Sequence, residues 1–388
     1  MSPSFSLAYC TNFWTPHQEP VCRALAELFP TGKFHMCLAD RVGNVEGLEE
    51  RAKLGWSVNP PDLPWIVRNP SDDREFDRMV AVACEADVAV LGQTFPEFYV
   101  PRLATGKLTF VMSERYWKKP RFPWRFMSPR RLCAIRRYRP LMNHRHVHYL
   151  TMGAYAAADA RSVGLFDDRI WNWAYFTSVA NQPPQPRQRP AARILWVGRM
   201  LDWKRVDTLI RAAGALRDDP AFDRLDFIGD GPARANLVRL AQKLGLGAKC
   251  TFGDSIPIDQ VRQRMRDSDI YVLPSDRYEG WGAVCNEAMS EGCVLVASRA
   301  AGAPPVLIDH GRTGFLFQCG QTRELVEILR SLLHNPELCQ NMRQAAWLEM
   351  NDLWHPNVGA QRLAALSAGI LGIAPMPAWS SGPCARSV

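Results

Sequence analysis

The sequence predicts an α/β protein made of two doubly wound domains that face each other across a cleft. Three observations lead to this prediction. Short apolar runs alternate with helical patterns through the second half of the chain, which is typical of a parallel sheet covered by helices on both faces. The first half shows the same alternation less clearly. Between the halves, residues 180–190 read ANQPPQPRQRP, and four prolines in eleven residues favour extended backbone over a helix.

The chain length supports a division into two domains. At 388 residues the chain is long for one domain and comfortable for two. We place the first domain at residues 1–180, the Pro-rich linker at 181–191 and the second domain at 192–350. A terminal helix is expected over residues 351–374, and a loose tail over 375–388.

The second half gives the clearer order of elements. RILWV at residues 193–197 reads as a buried strand, and residues 204–216 follow with apolar side chains at helical spacing. Then come the strand LDFIG, the helix ANLVRLAQKLG, the strand KCTF, the basic helix VRQRMR, the strand DIYVLPS, a helix from about Ala283, and the strands CVLVAS and GFLF. In the first half the candidate strands are SLAYC, FHMCLA, DVAVLG, LTFVMS and VHYLTM.

Composition narrows the class of protein and of partner. Hydrophobic residues make up 47% and charged residues 22%, which is ordinary for a globular chain with ample core. The net charge of +8 predicts an anionic partner, either a phosphorylated small molecule, a membrane surface or nucleic acid. The 11 cysteines are scattered without a C-x-x-C pair, which favours free thiols in a reducing compartment. No secretion signal is evident, so we expect a cytoplasmic location.

A first motif, VGRMLDWKR at residues 197–205, follows the first strand of the second domain. Gly198 turns the chain at the end of the strand, where ligands bind in such sheets. Arg199 and Lys204 then stand near the start of a helix, whose free N–H groups and dipole already favour anions. Arg can hold a phosphate through two hydrogen bonds, and Lys adds a point charge. The alternative is a pair of solvated surface cations.

A second motif lies in residues 269–289, DIYVLPSDRYEGWGAVCNEAM. Gly280 and Gly282 permit tight turns and close approach of a ligand. Glu279 lies just before the start of the next helix, and Glu287 lies about one turn inside it. The N–H groups of the glycine turn suit the phosphates of a sugar diphosphate, and the carboxylates suit sugar and ribose hydroxyls. The alternative is that Glu279 caps the helix and Glu287 is a solvated residue favoured by the helix dipole.

These motifs resemble the nucleotide-sugar domain of family-4-type retaining glycosyltransferases of the GT-B fold (glycosyl transferases group 1). That family carries a Glu-x7-Glu pattern, which Glu279 and Glu287 match. The resemblance covers roughly residues 190–335 and is specific, because five motifs occur in order at plausible spacings. The further matching features are VGR with Lys204, IGDGP (228–232), Pro274, EGWG with Trp281 where phenylalanine is usual, EAM (287–289), Gly292 and TGFLF (313–317).

The resemblance implies two Rossmann-like domains and transfer of a sugar, with retention of configuration, from a nucleotide-diphosphate sugar to a glycan or lipid-linked acceptor. UDP-sugars and GDP-sugars are both open, and polysaccharide or glycoconjugate biosynthesis is the implied setting. It also implies that no metal or other cofactor is required and that the terminal helix crosses back to the first domain. In the implied catalytic set, Glu279 contacts the donor sugar, while Arg199 and Lys204 stabilise the departing diphosphate. The implied substrate-binding residues are Glu287, at the ribose, together with Gly198, Gly231, Gly280, Trp281, Gly282 and Ala283.

The chain also departs from the family pattern. Pro305, in AAGAPPV, stands where the family often has a glutamate, so one donor-loop contact has no counterpart. CTNFWTPHQEP (10–20) replaces the usual glycine-rich loop after the first strand, and no histidine follows the strand LTFVM. The candidate residues on the acceptor side, to which no catalytic role is assigned, are Asn12, His17, Ser113 and Glu114.

Two further segments have open interpretations. Arg115–Arg145 contains 11 Lys or Arg and no Asp or Glu, with aromatic residues between them. We interpret it as a surface for an anionic membrane or a lipid-diphosphate acceptor, which would place the protein on the inner face of the membrane; a solvated loop is the plain alternative, and nucleic acid is not expected. HRHVH at residues 144–148 could place three histidines on one face of a strand for a metal, although we expect no metal site.

Two other functions compete with the transferase. An epimerase-like nucleotide-sugar enzyme of similar fold needs a general acid/base set, and the sequence offers no convincing one. A non-enzymatic basic protein that binds membranes or nucleic acid leaves the ordered motifs around Lys204 and Glu279 unexplained.

Overall fold

The computed structural model describes residues 2–39, 60–68, 73–92, 96–116, 129–187 and 189–387. The chain forms two compact units. The first unit takes the described residues up to Thr177 together with those from Trp354 onward, and the second takes Ser178–Leu353. Residues 117–128, the middle of the basic segment predicted to contact membranes, lie outside the described residues.

The first unit is built on a seven-stranded parallel sheet with the order β3-β2-β1-β4-β5-β6-β7. The five strands predicted in this half are confirmed, as β1, β2, β4, β5 and β6. Strands β3 and β7 are not predicted, because each is only three or four residues long and lies at an edge of the sheet. The strands are β1 (Leu7–Thr11), β2 (Phe34–Leu38), β3 (Ile66–Arg68), β4 (Val88–Leu91), β5 (Leu108–Glu114), β6 (Val147–Met152) and β7 (Ile170–Trp173).

Helices connect these strands, and a further helix from the C-terminal part of the chain belongs to the same unit. This helix, α13 (Pro356–Ile370), packs on α1 (Glu19–Leu28). Both helices bury apolar residues, and Gly359 of α13 leaves room for the ring of Phe176, from which a Cβ there would lie 2.6 Å. The other described helices of this unit are α2 (Asp73–Glu85), α3 (Pro96–Ala104), α4 (Pro129–Met142) and α5 (Ala156–Arg161).

The end of the chain is not the loose tail that the sequence predicts. Cys384 N–H donates to the Asn172 carbonyl at 2.8 Å, and Asn172 N–H donates to the Ala385 carbonyl at 2.8 Å. These bonds place residues 384–385 alongside β7, where they satisfy backbone groups at the edge of the sheet. The sequence offers no sign of this pairing, because the segment has no period-2 pattern.

The second unit is built on a six-stranded parallel sheet with the order β10-β9-β8-β11-β12-β13. All six predicted strands are confirmed. Every residue of β11 and β12 is buried, as expected for central strands covered on both faces, which read as continuous apolar runs. The strands are β8 (Ala192–Val197), β9 (Phe222–Ile228), β10 (Cys250–Gly253), β11 (Ile270–Leu273), β12 (Val294–Ser298) and β13 (Gly314–Phe317).

One predicted helix of this unit begins later than expected. The residues Asp202–Lys204 form a short 3-10 turn, and Arg205 then takes the left-handed conformation with φ 51°. The α-helix therefore starts at Val206 rather than at residue 204. The helices are α6 (Val206–Ala215), α7 (Arg234–Lys243), α8 (Ile258–Arg266), α9 (Val284–Ser290), α10 (Pro304–Leu307), α11 (Thr322–His334) and α12 (Pro336–Asp352).

Within the described ranges, no helix combines the length and the apolar composition that crossing a bilayer requires.

Candidate functional site

Two loops of the second unit carry the residues that the motifs predict. One follows β8 and the other follows β11, and these strands are hydrogen-bonded neighbours in the sheet. Because parallel strands end at the same edge, the loops meet at the carboxyl edge of the sheet. The backbone joins them directly, since Asp276 N–H donates to the Trp203 carbonyl at 2.9 Å.

Lys204 and Glu279 form the centre of this edge. The Nζ of Lys204 lies 2.5 Å from Oε2 of Glu279, and their side chains are only 15% and 10% exposed. The same ammonium lies 4.6 Å from the centre of the Trp203 ring, a distance at which a cation and an aromatic face attract each other. The structure thus brings together the predicted phosphate-binding lysine and the predicted sugar-binding glutamate.

The glycine turn between Glu279 and α9 has open backbone donors. Gly282 has a φ of +94°, a conformation that glycine adopts without strain. Among the described residues, the N–H groups of Gly280, Gly282 and Ala283 have no hydrogen-bond acceptor. Such donors are available to phosphate or hydroxyl oxygens of a ligand.

A third loop, after β12, supports this turn from one side. Gly302 N–H donates to the Glu279 carbonyl at 3.3 Å, and Ala303 N–H donates to the Trp281 carbonyl at 3.0 Å. A Cβ on Gly302 would lie 1.8 Å from the Gly280 carbonyl oxygen, so only glycine fits there. Pro305 lies just beyond, in the short helix α10.

The side chain of Trp281 is part of the core rather than of the open surface. It is fully buried, and its Nε1 donates to Oδ1 of Asn286 at 2.8 Å. Asn286 was not among the predicted site residues, because one polar residue in an apolar helix gives no signal of its partner. The pair fixes the turn against α9.

Glu287 lies one turn inside α9 and is largely buried. Its N–H donates to the Ala283 carbonyl at 3.2 Å, so its carboxylate is held at the same end of the helix as the glycine turn. Cys285 lies between the two glutamates. Burial raises the pKa of the Cys285 thiol well above its usual value, and the charges of Glu279 and Glu287 raise this pKa further.

The remaining residues that the sequence predicts to bind a nucleotide sugar lie in the loop after β8 and in the IGDGP turn. Gly231 packs on this loop, since a Cβ there would lie 2.4 Å from the Met200 carbonyl oxygen. Gly229 would likewise place a Cβ 2.0 Å from the Gly198 carbonyl oxygen. Arg199 is exposed and forms no ion pair with any described residue. These glycines therefore shape the edge, and Arg199 adds a positive charge to it.

The acceptor-side candidates lie in the first unit, at the carboxyl edge of its sheet. Asn12 follows β1, and among the described residues nothing donates to its buried Oδ1. The His17 ring lies 5.6 Å from that of Tyr175. Ser113 and Glu114 end β5, where the Ser113 hydroxyl donates to the Glu114 carbonyl at 2.6 Å.

The interpretation that three histidines share one face of a strand is wrong. His144 and His146 lie in the turn before β6, and His148 alone lies in the strand. Its Nδ1 accepts a hydrogen bond from Trp171 Nε1 at 3.0 Å, and burial lowers the pKa of His148 to about 3. In the part of the chain that the structure describes, no group of three or more His, Cys, Asp or Glu residues could hold a metal ion.

Comparisons with known proteins agree with this geometry. Residues 180–347 match the sequence model of the family described as glycosyl transferases group 1. The chain is 38% identical over 125 residues to sulfoquinovosyl transferase SQD2 of Arabidopsis thaliana, which covers 32% of this chain and 24% of that protein. It is 29% identical over 182 residues to the GDP-mannose-dependent alpha-(1-6)-phosphatidylinositol monomannoside mannosyltransferase of Mycolicibacterium smegmatis, covering 45% and 47% of the two chains.

The fold is similar to that of solved structures over most of the chain. The Anabaena protein HepE, in complex with UDP, superimposes with a TM-score of 0.66 at 17% identity, covering 92% of this chain and 98% of that one. The curated relatives, in contrast, are matched over less than half of their length. The similarity to glycosyl transferases group 1 thus lies in residues 180–347, and the chain shares the GT-B fold of its structural neighbours.

Proposed function

We propose that the protein is a retaining glycosyltransferase that moves a sugar from a nucleotide-diphosphate sugar to a glycan or lipid-linked acceptor. The observation that carries this proposal is the Lys204–Glu279 pair at the carboxyl edge of the second sheet. It sets a cation for a diphosphate beside a carboxylate for sugar hydroxyls, next to a turn with open N–H donors.

Each group has a role in this reaction. When the bond between the sugar C1 and the diphosphate breaks, negative charge grows on the leaving oxygen. Lys204, Arg199 and the N–H groups of the glycine turn stabilise that charge electrostatically, without rearrangement. Glu279 accepts hydrogen bonds from the donor sugar, and Glu287 accepts them from the ribose.

Retention of configuration follows from attack on the same face that the diphosphate leaves. The acceptor oxygen forms its bond to C1, and its proton passes to the departing phosphate oxygen. This route needs no strong protein base. It therefore requires no catalytic role for the acceptor-side residues Asn12, His17, Ser113 and Glu114. The anomeric configuration of the product, read by NMR from a single turnover, tests it.

Similar proteins support the choice of substrates. HepE is solved with UDP and with UDP-glucose, and the Mycolicibacterium relative uses GDP-mannose on a phosphatidylinositol mannoside. A UDP- or GDP-sugar donor and a lipid-linked or glycan acceptor are therefore the first candidates. The net charge of +8 favours binding at the inner face of an anionic membrane, where such acceptors lie.

The test is thermal stabilisation by a panel of UDP-, GDP- and dTDP-sugars. A ligand that binds only the folded state raises the melting temperature in proportion to the logarithm of its concentration. We expect one donor to do so, and we expect Lys204→Ala and Glu287→Ala to abolish the shift. Matched controls are Lys243→Ala and Glu327→Ala, which remove an exposed lysine on α7 and an exposed glutamate on α11.

The outcomes separate the alternatives. A donor-specific shift that survives in both controls supports the transferase. A well-folded protein that no nucleotide sugar stabilises, but that binds anionic vesicles or DNA in a salt-dependent way, contradicts it.

A further inference from the structure

A cavity of about 230 Å³ lies in the second unit, at the end of the sheet opposite to the loops that follow β8 and β11. Its lining includes Ala192, the first residue of β8, and Asp269, which directly precedes β11. Residues 186–187 and 189–191 of the Pro-rich segment form one wall, and α11 and α12 form the other. The cavity is therefore separate from the site of the proposed transfer reaction.

Three arginines and one carboxylate line this cavity. The cations are Arg187, Arg189 and Arg343, and the only acidic residue among the described lining residues is Asp269. The lining thus carries a net charge of +2, from three positive charges and one negative. Arg343 is almost completely buried, and buried charges are costly unless they are matched.

Asp269 forms ion pairs with two of these arginines. Its Oδ1 lies 3.0 Å from Arg187 Nε, and its Oδ2 lies 2.5 Å from Arg189 Nη2. Burial lowers the pKa of Arg187 to about 10, and Asp269 counters this only in part while the Arg343 charge adds to it. The single carboxylate therefore neutralises only one of the three positive charges.

An N–H donor in this lining is unused. Arg189 Nε is buried, and it has no hydrogen-bond partner among the described residues. An unsatisfied donor on a charged group costs free energy of folding, so its presence beside a cavity indicates a ligand with acceptor oxygens. A guanidinium group binds phosphate through a pair of parallel N–H bonds.

Helix α12 adds to the positive potential. The lining residues Pro336, Cys339, Gln340 and Arg343 all come from its first turns. The dipole of this 17-residue helix directs its positive end toward the same space.

We propose that this cavity is a binding site for a phosphate group, held by Arg187, Arg189 and Arg343, at the junction between the Pro-rich segment and the second sheet. The volume is smaller than that of pockets for drug-sized ligands but far larger than one water, so it suits inorganic phosphate or a small phosphate ester. Because the bound anion joins Arg187 and Arg189 to α12, it stabilises the second unit.

Gln340 provides a sharp test. Its Oε1 accepts from Arg343 at 2.7 Å, and its Nε2 donates to the Pro184 carbonyl at 3.2 Å. Gln340→Glu keeps the length of the side chain and an oxygen for Arg343, but it places a fixed negative charge in the cavity. Gln340→Leu removes both hydrogen bonds and adds no charge. Arg323→Gln removes an exposed cation from α11, outside the cavity.

The experiment measures the binding of inorganic phosphate and of glucose 6-phosphate to the full chain, by calorimetry and melting temperature, at constant ionic strength set with NaCl. All variants carry Lys204→Ala, so that phosphate at the donor edge does not contribute. We expect saturable binding of one phosphate per chain, weakened at least tenfold by Gln340→Glu and changed less than threefold by Gln340→Leu and Arg323→Gln. Tighter binding of the sugar phosphate identifies an ester as the ligand, and tighter binding of inorganic phosphate identifies the free ion.

Two results overturn the proposal. One is the absence of saturable binding by either phosphate in folded protein. The other is that Gln340→Glu and Gln340→Leu weaken phosphate binding equally, which shows that the affinity does not depend on the charge in the cavity. Neither result bears on turnover of nucleotide sugars, which is measured with Lys204 intact.

Discussion

Lys204 and Glu279 are 75 positions apart in the sequence, yet Nζ of the lysine lies 2.5 Å from Oε2 of the glutamate. Each side chain is held by the charge of the other at the edge of the sheet. The loop after β8 and the loop after β11 are thereby fixed relative to each other. Removal of either partner leaves a largely buried charge without its counterion, which costs more than the pair itself contributes.

The first prediction concerns this pair. We expect Lys204→Met to lower kcat by about 10²–10³-fold, the usual effect of removing one preorganised donor for developing negative charge. We also expect the free energy of unfolding to fall by about 1–3 kcal/mol, because Glu279 loses a hydrogen-bond donor. Initial rates with the donor found by thermal shift, and urea denaturation, measure the two effects. Lys243→Met is the control, and a variant with unchanged kcat shows that Lys204 is structural.

The second prediction concerns Trp281, which stands where the family usually has phenylalanine. Trp281→Phe restores the usual residue but leaves Oδ1 of Asn286 without the indole N–H. We expect it to lower the free energy of unfolding by about 1–3 kcal/mol. A double-mutant cycle with Asn286→Ala should give a coupling energy of about 0.5–3 kcal/mol. Additive effects in the cycle are the contrary result, since they mean that the hydrogen bond is not what stabilises the turn.

The third prediction concerns the packing of the loop after β12 on the glycine turn. Gly302→Ala places a methyl group against the Gly280 carbonyl oxygen, so the turn has to shift, at a cost of about 1–3 kcal/mol. We expect weaker donor binding as well, because the N–H groups of the turn move. Gly253→Ala is the matched control, since its nearest neighbour would be a backbone oxygen at 3.6 Å. Donor affinity and urea midpoints are measured for both, and equal effects contradict the prediction.

The fourth prediction concerns pH and His148. Its folded pKa of about 3 lies below the value near 6.5 expected for an unfolded chain. Between these values the unfolded chain binds more protons, so the free energy of unfolding falls as pH decreases, by at most about 1.4 kcal/mol per pH unit. His148→Asn keeps an acceptor for Trp171 but does not titrate. We expect its stability to depend less on pH between 6.5 and 4.5 in urea denaturation, and an unchanged slope argues against the assignment.

The fold was predictable where the residue pattern itself specifies the structure. Strands β11 and β12 are apolar except for Ser298 because both faces of the sheet are covered there, and such runs can be recognised in the sequence without knowledge of their partner strands. The short strands β3 and β7 gain their stability from neighbours in the sheet, which a local pattern does not show. The late start of α6 likewise depends on one residue, Arg205, in the left-handed conformation.

The candidate site was predictable at the level of motifs but not of contacts. Spacing placed Glu279 and Glu287 at opposite ends of the glycine turn, and it placed Lys204 in the neighbouring loop. The ion pair and the Trp281–Asn286 hydrogen bond arise from tertiary packing. The arginine-lined cavity was missed for the same reason, because Arg187 and Arg343 come together only when the Pro-rich segment folds against α12.

The return of the chain to the first unit has a consequence for synthesis. The apolar face of α1 is covered by α13, and β7 is bordered by residues 384–385, so these surfaces stay open on the ribosome until the whole second unit has been made. The second unit is continuous from Ser178 to Leu353 and can fold in one stretch as it emerges. In this protein the half that is translated first is therefore the half that is finished last, and its exposed sheet and helix surfaces are those that a chaperone would meet.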